Sequence, residues 1–385
     1  MNKKIKGSKN LNVPNLRFPE FKKSYYQTTI SKLATIVGGG TPDTTVQEYW
    51  NGGIQWFTPS EIGKKKYADK SERTISREGL SNSSAKLLPI NTILLSTRAT
   101  IGESSIAKVE CCTNQGFQSL IANEKIVCYE YMYYLVATLK KELIRKSCGS
   151  TFLEISANEV RKIKTFVPSL DEQSKVSSLL SLIDDRIATQ IKIIEDLKKL
   201  KSAISNKYLY DKSWPKYKIS EIATLGRGRV ISSKEIGLQR NPMYPVYSSQ
   251  TSNDGVMGYL DTYDFDGEYI TWTTDGANAG TVFYRNGQFN CTNVCGTIKV
   301  GESFDAYFLS TILQTATARY VSTNLANPKL MNNTMASIVV RIPDIKIQKY
   351  WSSILRKMEE KLSIEATILL ALQQQKQYFL AQMFI

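Results

Sequence analysis

Polar loops in two separate stretches of this chain carry the amide, hydroxyl and guanidinium groups that make directed hydrogen bonds to base edges and phosphates. In the first stretch they are Trp56, Thr58 and Ser60, then Arg98 and Thr100, then Asn114, Gln115 and Gln118, and finally Ser150 and Thr151. In the second they are Ser249, Gln250 and Asn253, then Thr273, Thr274 and Asn278, and a segment 324–329 that ends at Lys329. Arg98 has the planar fork that meets a guanine edge through two parallel bonds. Lys64, Lys65 and Lys66, the pair Lys140 and Lys141, and Arg227 and Arg229 are candidate phosphate neutralisers. Any one of these strings also fits a solvated loop, so the balance of charge matters. A formal net charge of +15 over 385 residues favours a polyanionic partner, either nucleic acid or an anionic membrane surface.

Catalytic chemistry finds little support. The chain has no histidine, which removes Ser-His-Asp and Cys-His nucleophile systems, histidine metal sites and the usual base near pH 7. Asn241-Pro242-Met243-Tyr244 faintly resembles the NPPY-type motif of amino-methyltransferases, but no Phe-x-Gly-x-Gly precedes it. Pro343-Asp344 with Glu359-x-Lys361 matches a loose nuclease pattern, yet Glu359 and Lys361 fall on a long helix, away from a sheet that would hold a metal. Gly38-Gly39-Gly40 lacks the Gly-Lys-Ser/Thr of a phosphate loop and reads as tight-turn glycine. Cys111, Cys112, Cys128, Cys148, Cys291 and Cys295 include no CxxC pair, so reduced, packed thiols are expected and a zinc site is not. No apolar run reaches the ~18–20 residues that cross a bilayer, and no apolar signal core follows the basic start, which makes the cytoplasm the expected location.

The elements that position the polar loops occur twice. Ile30-Ser31-Lys32-Leu33-Ala34-Thr35 returns as Ile219-Ser220-Glu221-Ile222-Ala223-Thr224, at an offset of 189. Phe166-Val167-Pro168 and Arg341-Ile342-Pro343 each open a helical stretch, at an offset of 175. Each copy is therefore a variable block followed by a helix, and the smaller second offset means that the second block is the shorter one between these landmarks. Short β-rich runs such as Ile54–Phe57, Thr92–Ser96, Phe117–Ile121, Tyr269–Trp272, Thr281–Tyr284 and Gly296–Val300 alternate with turn residues. Helices are predicted over Thr28–Val37, Tyr129–Lys146 and Ala306–Tyr320, which makes both blocks α+β.

The two helical stretches have a seam stepping alternately by four and three, the 3.5-residue period of a coiled coil. The first seam is Val176, Leu180, Ile183, Ile187, Gln190, Ile194, Leu197, Lys201, Ile204 and Tyr208. The second, at the same offset of 175, is Trp351, Leu355, Met358, Leu362, Glu365, Leu369, Leu372, Lys376, Phe379 and Met383. Each helix is about 39 residues, or ~58 Å long. Such a helix also suits a bundle element or a homodimer zipper, but two matching seams in one chain favour an intramolecular antiparallel pair. The expected organisation is a basic lead-in (1–20), a first block (21–168), a first helix (169–212), a second block (213–343) and a second helix (344–385).

Particular strings give this order of elements a family. Leu16-Arg17-Phe18-Pro19-Glu20-Phe21, Gly38–Pro42 with Glu48-Tyr49-Trp50-Asn51-Gly52, Ser83–Pro89 and Thr97-Arg98 fall in the first block. Thr271–Gly280 and Cys291–Gly296 fall in the second, and Pro168 with Glu172-Gln173 opens the first helix. Through these the chain resembles the specificity subunit of type I restriction-modification systems along essentially its whole length; the second helix departs only in having Ile347-Gln348. The resemblance implies an α+β protein of two tandem mixed α/β target-recognition domains, each followed by a long helix. The helices would pair as an antiparallel coiled coil with pseudo-twofold symmetry. It implies a non-catalytic subunit whose domains each read half of an asymmetric, bipartite site in double-stranded DNA, with the helices fixing the spacer. Two modification subunits would dock on those helices, and restriction/translocase subunits would complete the complex. S-adenosylmethionine, ATP and Mg would sit on those partners and no cofactor or metal on this chain.

Two other classes stay open on the residues alone: a coiled-coil adaptor with two protein-binding modules, and a self-contained DNA methyltransferase or nuclease. Titrating salt separates the adaptor from a DNA reader. If the basic residues meet phosphates, the logarithm of DNA affinity will fall linearly with the logarithm of salt concentration, and a flat dependence would favour the adaptor.

Overall fold

The computed structural model describes residues 12–149, 153–209, 211–322 and 327–385. The chain divides into two units, one of Met1–Lys192 with Thr367–Ile385 and one of Ile193–Ala366. This division does not follow chain order, because each long helix gives part of its length to each unit.

In the first unit a five-stranded sheet has the order 34–38, 118–122, 93–95, 104–107, 67–68. A three-stranded sheet is made of Arg73–Ile75, Trp50–Phe57 and Cys111–Thr113, with the last two strands parallel. Successive side chains on a strand face opposite ways, and the central strand of the larger sheet shows the consequence. Ile93 and Leu95 join the core beneath the helix Tyr129–Thr138, whereas Leu94 joins a second cluster with Phe57 and Phe117. Both faces are covered, which is why Ile93-Leu94-Leu95 is continuously apolar. The second unit has a four-stranded sheet in the order 223–227, 295–300, 269–273, 282–285 and a three-stranded one in the order 256–260, 244–247, 290–291. Its core gathers Trp272, Ile298, Phe308 and Leu330.

The duplication seen in the sequence holds bond by bond. Ile30 N donates to Ile163 O and Ile219 N donates to Ile338 O, both at 3.0 Å, so the offsets of 189 and 175 meet in one hydrogen bond. Just before it, strand Tyr26–Thr29 pairs antiparallel with Lys164–Val167, and Lys216–Lys218 pairs in the same way with Val339–Arg341. The helix predicted over Thr28–Val37 is confined to Ile30–Leu33; Ala34–Gly38 is a strand, and its second-copy counterpart Ala223–Arg227 follows Ile219–Ile222. Thr35, Ile36 and Val37 are β-branched and find a partner strand at 118–122, which outweighs four residues of helix signal. Tyr129–Lys146 is two helices, Tyr129–Thr138 and Lys140–Arg145, and Ala306–Ala316 passes into a 3-10 turn at Thr317–Tyr320.

The long helices run Leu170–Tyr208 and Ile345–Met383, 39 residues each. Between 188 and 203 only Gln190, Ile194, Leu197 and Lys201 are shielded; between 359 and 378 only Leu362, Glu365, Leu369, Leu372 and Lys376 are. Within the first unit Val176 and Leu180 share a core with Phe379, Leu380 and Met383, and Asp184 pairs with Lys376 at 2.6 Å. Within the second, Ile204 packs in the core with Trp351 and Leu355, and Lys201 pairs with Glu359.

A buried glutamine fixes the first turn of each helix to its own block. Gln173 accepts from Cys128 N and donates to Pro168 O, each at 3.0 Å. Gln348 accepts from Asp305 N at 2.8 Å and donates to Pro343 O at 2.9 Å. Cys128 and Asp305 are the N-caps of the block helices, so one amide joins two helix starts and consumes groups that would otherwise be unpaired. The preceding position differs. Glu172 is buried and takes a two-pronged bond from Arg17, both at 2.7 Å, and a third from the Tyr25 hydroxyl. Burial, reinforced by this carboxylate, pushes the Tyr25 phenol well above its ordinary pKa. Ile347, its counterpart, is exposed. Replacing Glu by Ile therefore leaves the helix intact but removes a tie to the N-terminal segment. Gln173→Leu should strand the Cys128 N–H and the carbonyls of Pro168 and Ile126, to which the Gln173 amide also donates at 3.0 Å, and lower stability by about 2 kcal/mol or more; a urea midpoint unchanged from wild type would refute this anchoring.

Candidate nucleic-acid interface

Four loops of the first unit converge through backbone bonds. Asn114 N donates to Phe57 O, Thr97 N to Gly116 O, and Gly40 N to Thr113 O. Thr41 Oγ1 donates to Gln115 Oε1 at 2.6 Å. Gly39 and Gly40 serve close approach rather than a tight turn. A Cβ at Gly39 would lie 1.9 Å from Asn114 O, and its second-copy counterpart Gly228 would meet Cys291 O at 2.0 Å. Neither has a positive φ. The loops present Ser60, Arg98, Thr100 and Gln115 as exposed side chains, with Lys64 and Lys65 nearby in sequence and also exposed. Ser150 and Thr151 lie outside the described residues.

Several sequence candidates belong to the scaffold instead. Trp56 is buried, donates Nε1 to Gly40 O at 2.9 Å and meets Trp50 edge-on, so it is core and not a stacking platform. Arg73, which no sequence motif marks, caps that pair with its guanidinium 3.5 Å from the Trp50 ring centroid. Thr58 closes a capping box with Glu61. Asn114 accepts from Gly116 N, and Gln118 is half-buried against Gly38. Lys66 is not a phosphate neutraliser: its ammonium is largely buried, 2.9 Å from Ser181 Oγ and 3.2 Å from Glu130.

The second unit gathers the corresponding loops. Thr292 N donates to Tyr247 O, Thr274 N to Val294 O, Arg229 N to Cys291 O, and Gly276 N to Pro328 O. Exposed here are Arg227, Asn253 and Asn278. Asn253 sits in a left-handed turn (φ 50°) with Asp254, and the buried Arg285 holds that turn by a 2.7 Å bond to the Asp254 carboxylate. Thr273 and Thr274 are buried, their hydroxyls spent on Asn278 O and on Val294 O and Asp275. They shape the loop and do not face a ligand. Arg229 is engaged by Glu235 and Asp264, which keep its guanidinium pKa raised, the Glu235 hydrogen bond being the larger cause. Ser249 and Gln250 are half-buried, and Gln250 donates to Val256 O. Of the segment 324–329, positions 324–326 lie outside the described residues, and Lys329 pairs with Asp275.

The remaining chemical candidates dissolve into structure. Glu359 pairs with Lys201, Lys361 pairs with Glu365, and Asp344 accepts from Lys346 N at the start of the second long helix, so the nuclease-like string forms no site. Desolvation pushes Cys111 up to about 12 and Cys112 and Cys295 up to about 11, which leaves these thiols protonated and unreactive. Among the described residues no group of three or more Cys, Asp or Glu could hold a metal, and no helix is long and apolar enough to cross a membrane.

Two blocks on one frame, each with loops converging at strand ends, define a duplicated α+β recognition module. The chain matches the family described as Type I restriction modification DNA specificity domain twice, over residues 23–199 and 211–374, and it belongs to that family. It is 36% identical over 186 residues to the specificity subunit of the type I restriction enzyme MjaIX of Methanocaldococcus jannaschii, covering 47% of this chain and 43% of that one. The match thus spans less than half the length of that relative. A putative type I specificity subunit N-terminus from Mycoplasma pneumoniae is 47% identical over 141 residues, 36% of this chain and 74% of the relative. The crystal structure of a type I restriction-modification S subunit from M. genitalium superposes with a TM-score of 0.66 at 16% identity, covering 97% of this chain and 99% of that one, and has the same fold.

The contrast among neighbouring lysines can be measured. Lys64→Ala with Lys65→Ala should reduce the salt slope of DNA binding by about 1 for each phosphate no longer neutralised, without lowering the melting temperature. Lys66→Met should instead cost about 1–3 kcal/mol of stability by taking the ammonium from Ser181 and leaving Glu130 with only the Tyr67 hydroxyl. Equal thermal behaviour of the two variants would contradict the assignment.

Proposed function

We propose that this chain is the sequence-reading subunit of a type I restriction-modification complex, without catalysis of its own. Each unit reads one half of a bipartite, asymmetric DNA site through the loops at its strand ends. The two long helices pair antiparallel as a coiled coil, set the number of unread base pairs and dock the modification subunits. S-adenosylmethionine, ATP and Mg belong to those partners. The observation that carries this reading is the duplication itself: one backbone frame, repeated at fixed offsets, bearing two different sets of exposed polar side chains. For the helices, support comes from the shielded seams and from two ion pairs. Going from Asp184 to Lys201 advances 17 positions on one helix, while their partners Lys376 and Glu359 retreat 17 on the other. That is the register of antiparallel neighbours.

The ruler is testable in the full complex. Deleting one heptad from each long helix removes roughly 10 Å of rise, or about three base pairs of duplex. Methylated sites mapped across a genome should then show a shorter spacer between the same two half-sites. The same spacer after the deletion would reject the ruler.

A further inference from the structure

Each unit carries an ion pair at the same place in its frame, and the polarity is reversed between them. In the first, Arg98 at the loop after strand Ile93–Leu95 faces Glu154, with the nitrogen and oxygen 2.8 Å apart. In the second, Asp275 at the loop after strand Tyr269–Thr273 faces Lys329 at 3.5 Å. The positions of Glu154 and Lys329 differ by 175, the offset that relates the later elements of the two copies. The backbone around both pairs is the same. Arg98 forms a β-bridge with Glu154, and Asp275 forms one with Lys329. Ile155 N donates to Thr97 O, as Leu330 N does to Thr274 O. The residue that follows is left-handed in both, Ala99 at φ 55° and Gly276 at φ 94°.

Stability gives little reason for such a pair. All four side chains are partly exposed, between 26% and 49%, and exposed ion pairs contribute little to stability. Their base, in contrast, is rigid, since Thr97 and Thr274 beneath them are buried and hydrogen-bonded on both sides. A partly exposed charged group on a pinned turn, steadied by a counter-ion and, for Asp275, by the Thr274 hydroxyl at 2.6 Å on its other oxygen, is a preorganised reading group. The polarity then has chemical meaning. A guanidinium meets the two acceptors of a guanine edge, whereas a carboxylate is repelled by phosphate and accepts from the amino group of cytosine. A basic chain that puts an aspartate at this place gains nothing for general DNA affinity.

We propose that this ion pair is a specificity-determining position in both units, Arg98 reading a guanine in one half-site and Asp275 a cytosine at the corresponding place in the other. Glu154 and Lys329 are positioning residues that hold the reading group in line. The inference rests on the DNA-reading function proposed above and adds the base chemistry to it.

The second unit supplies the design of the test, since it shows that this backbone carries the opposite polarity. In the complex reconstituted with its modification subunits, R98D/E154K copies that polarity into the first unit. Site selection from a randomised DNA library should then change one position of the first half-site from guanine to cytosine, a reversal of about tenfold or more in preference. The other half-site and the spacer should stay as they were. R98K, which retains the charge and the partner but loses the fork, should lose about tenfold in discrimination at the same position and nowhere else. It serves if the double variant fails to fold. Unaltered selection by either folded variant would overturn the inference and leave the pair as a clamp between two segments. A wild-type complex that selects no two-part site would overturn the underlying reading, and this inference with it.

Discussion

The structure depends on one buried amide in each copy. Gln173 and Gln348 sit at the start of a 39-residue helix, each bonded to a proline carbonyl behind it and to the N-cap N–H of the block helix beside it. A helix start is where backbone groups lack partners, and burying two such starts together is costly unless something satisfies both. Glutamine has the reach and carries both a donor and an acceptor. The direction in which each long helix leaves its block is thereby set by hydrogen bonds together with the packing of Val176 and Leu180, and of Trp351 and Leu355, into the block cores.

Around this joint the frame is conserved between copies while the surface is not. The bonds Ile30–Ile163 and Ile219–Ile338, the close approaches at Gly39 and Gly228, and the bridges at Arg98 and Asp275 keep the backbone in register. Side chains that point out of that frame are free to differ, because they carry no packing. Glu172 shows the same freedom used for another purpose: the first copy places a buried carboxylate there to hold Arg17 and Tyr25, where the second has an exposed isoleucine.

Much of the frame was legible in the residues. The offsets of 189 and 175 and the long helices depend on repetition and periodicity along the chain, and they agree with the bonds observed. The surface was far less legible. Trp56, Lys66, Thr273 and Thr274 look like ligand-facing groups in a string, yet a tryptophan ring, a lysine ammonium and two hydroxyls are each used up inside the fold. Nothing in the string singles out Glu154, although adding the helix offset to its number leads to Lys329. That correspondence was available; what it meant was not, since an ion pair between Arg98 and Glu154 exists only once the strands have brought them together.

The residues by themselves determined that the chain is a doubled unit with a heptad helix behind each block, because helix period and repeated strings are written along the chain. Which polar groups remain free to meet a ligand was decided by tertiary structure alone. Whether an amide, hydroxyl or charge is available depends on what the fold has placed within about 3 Å of it, and those neighbours, such as Ser181 beside Lys66 or Gly40 beside Trp56, come from elsewhere in the sequence.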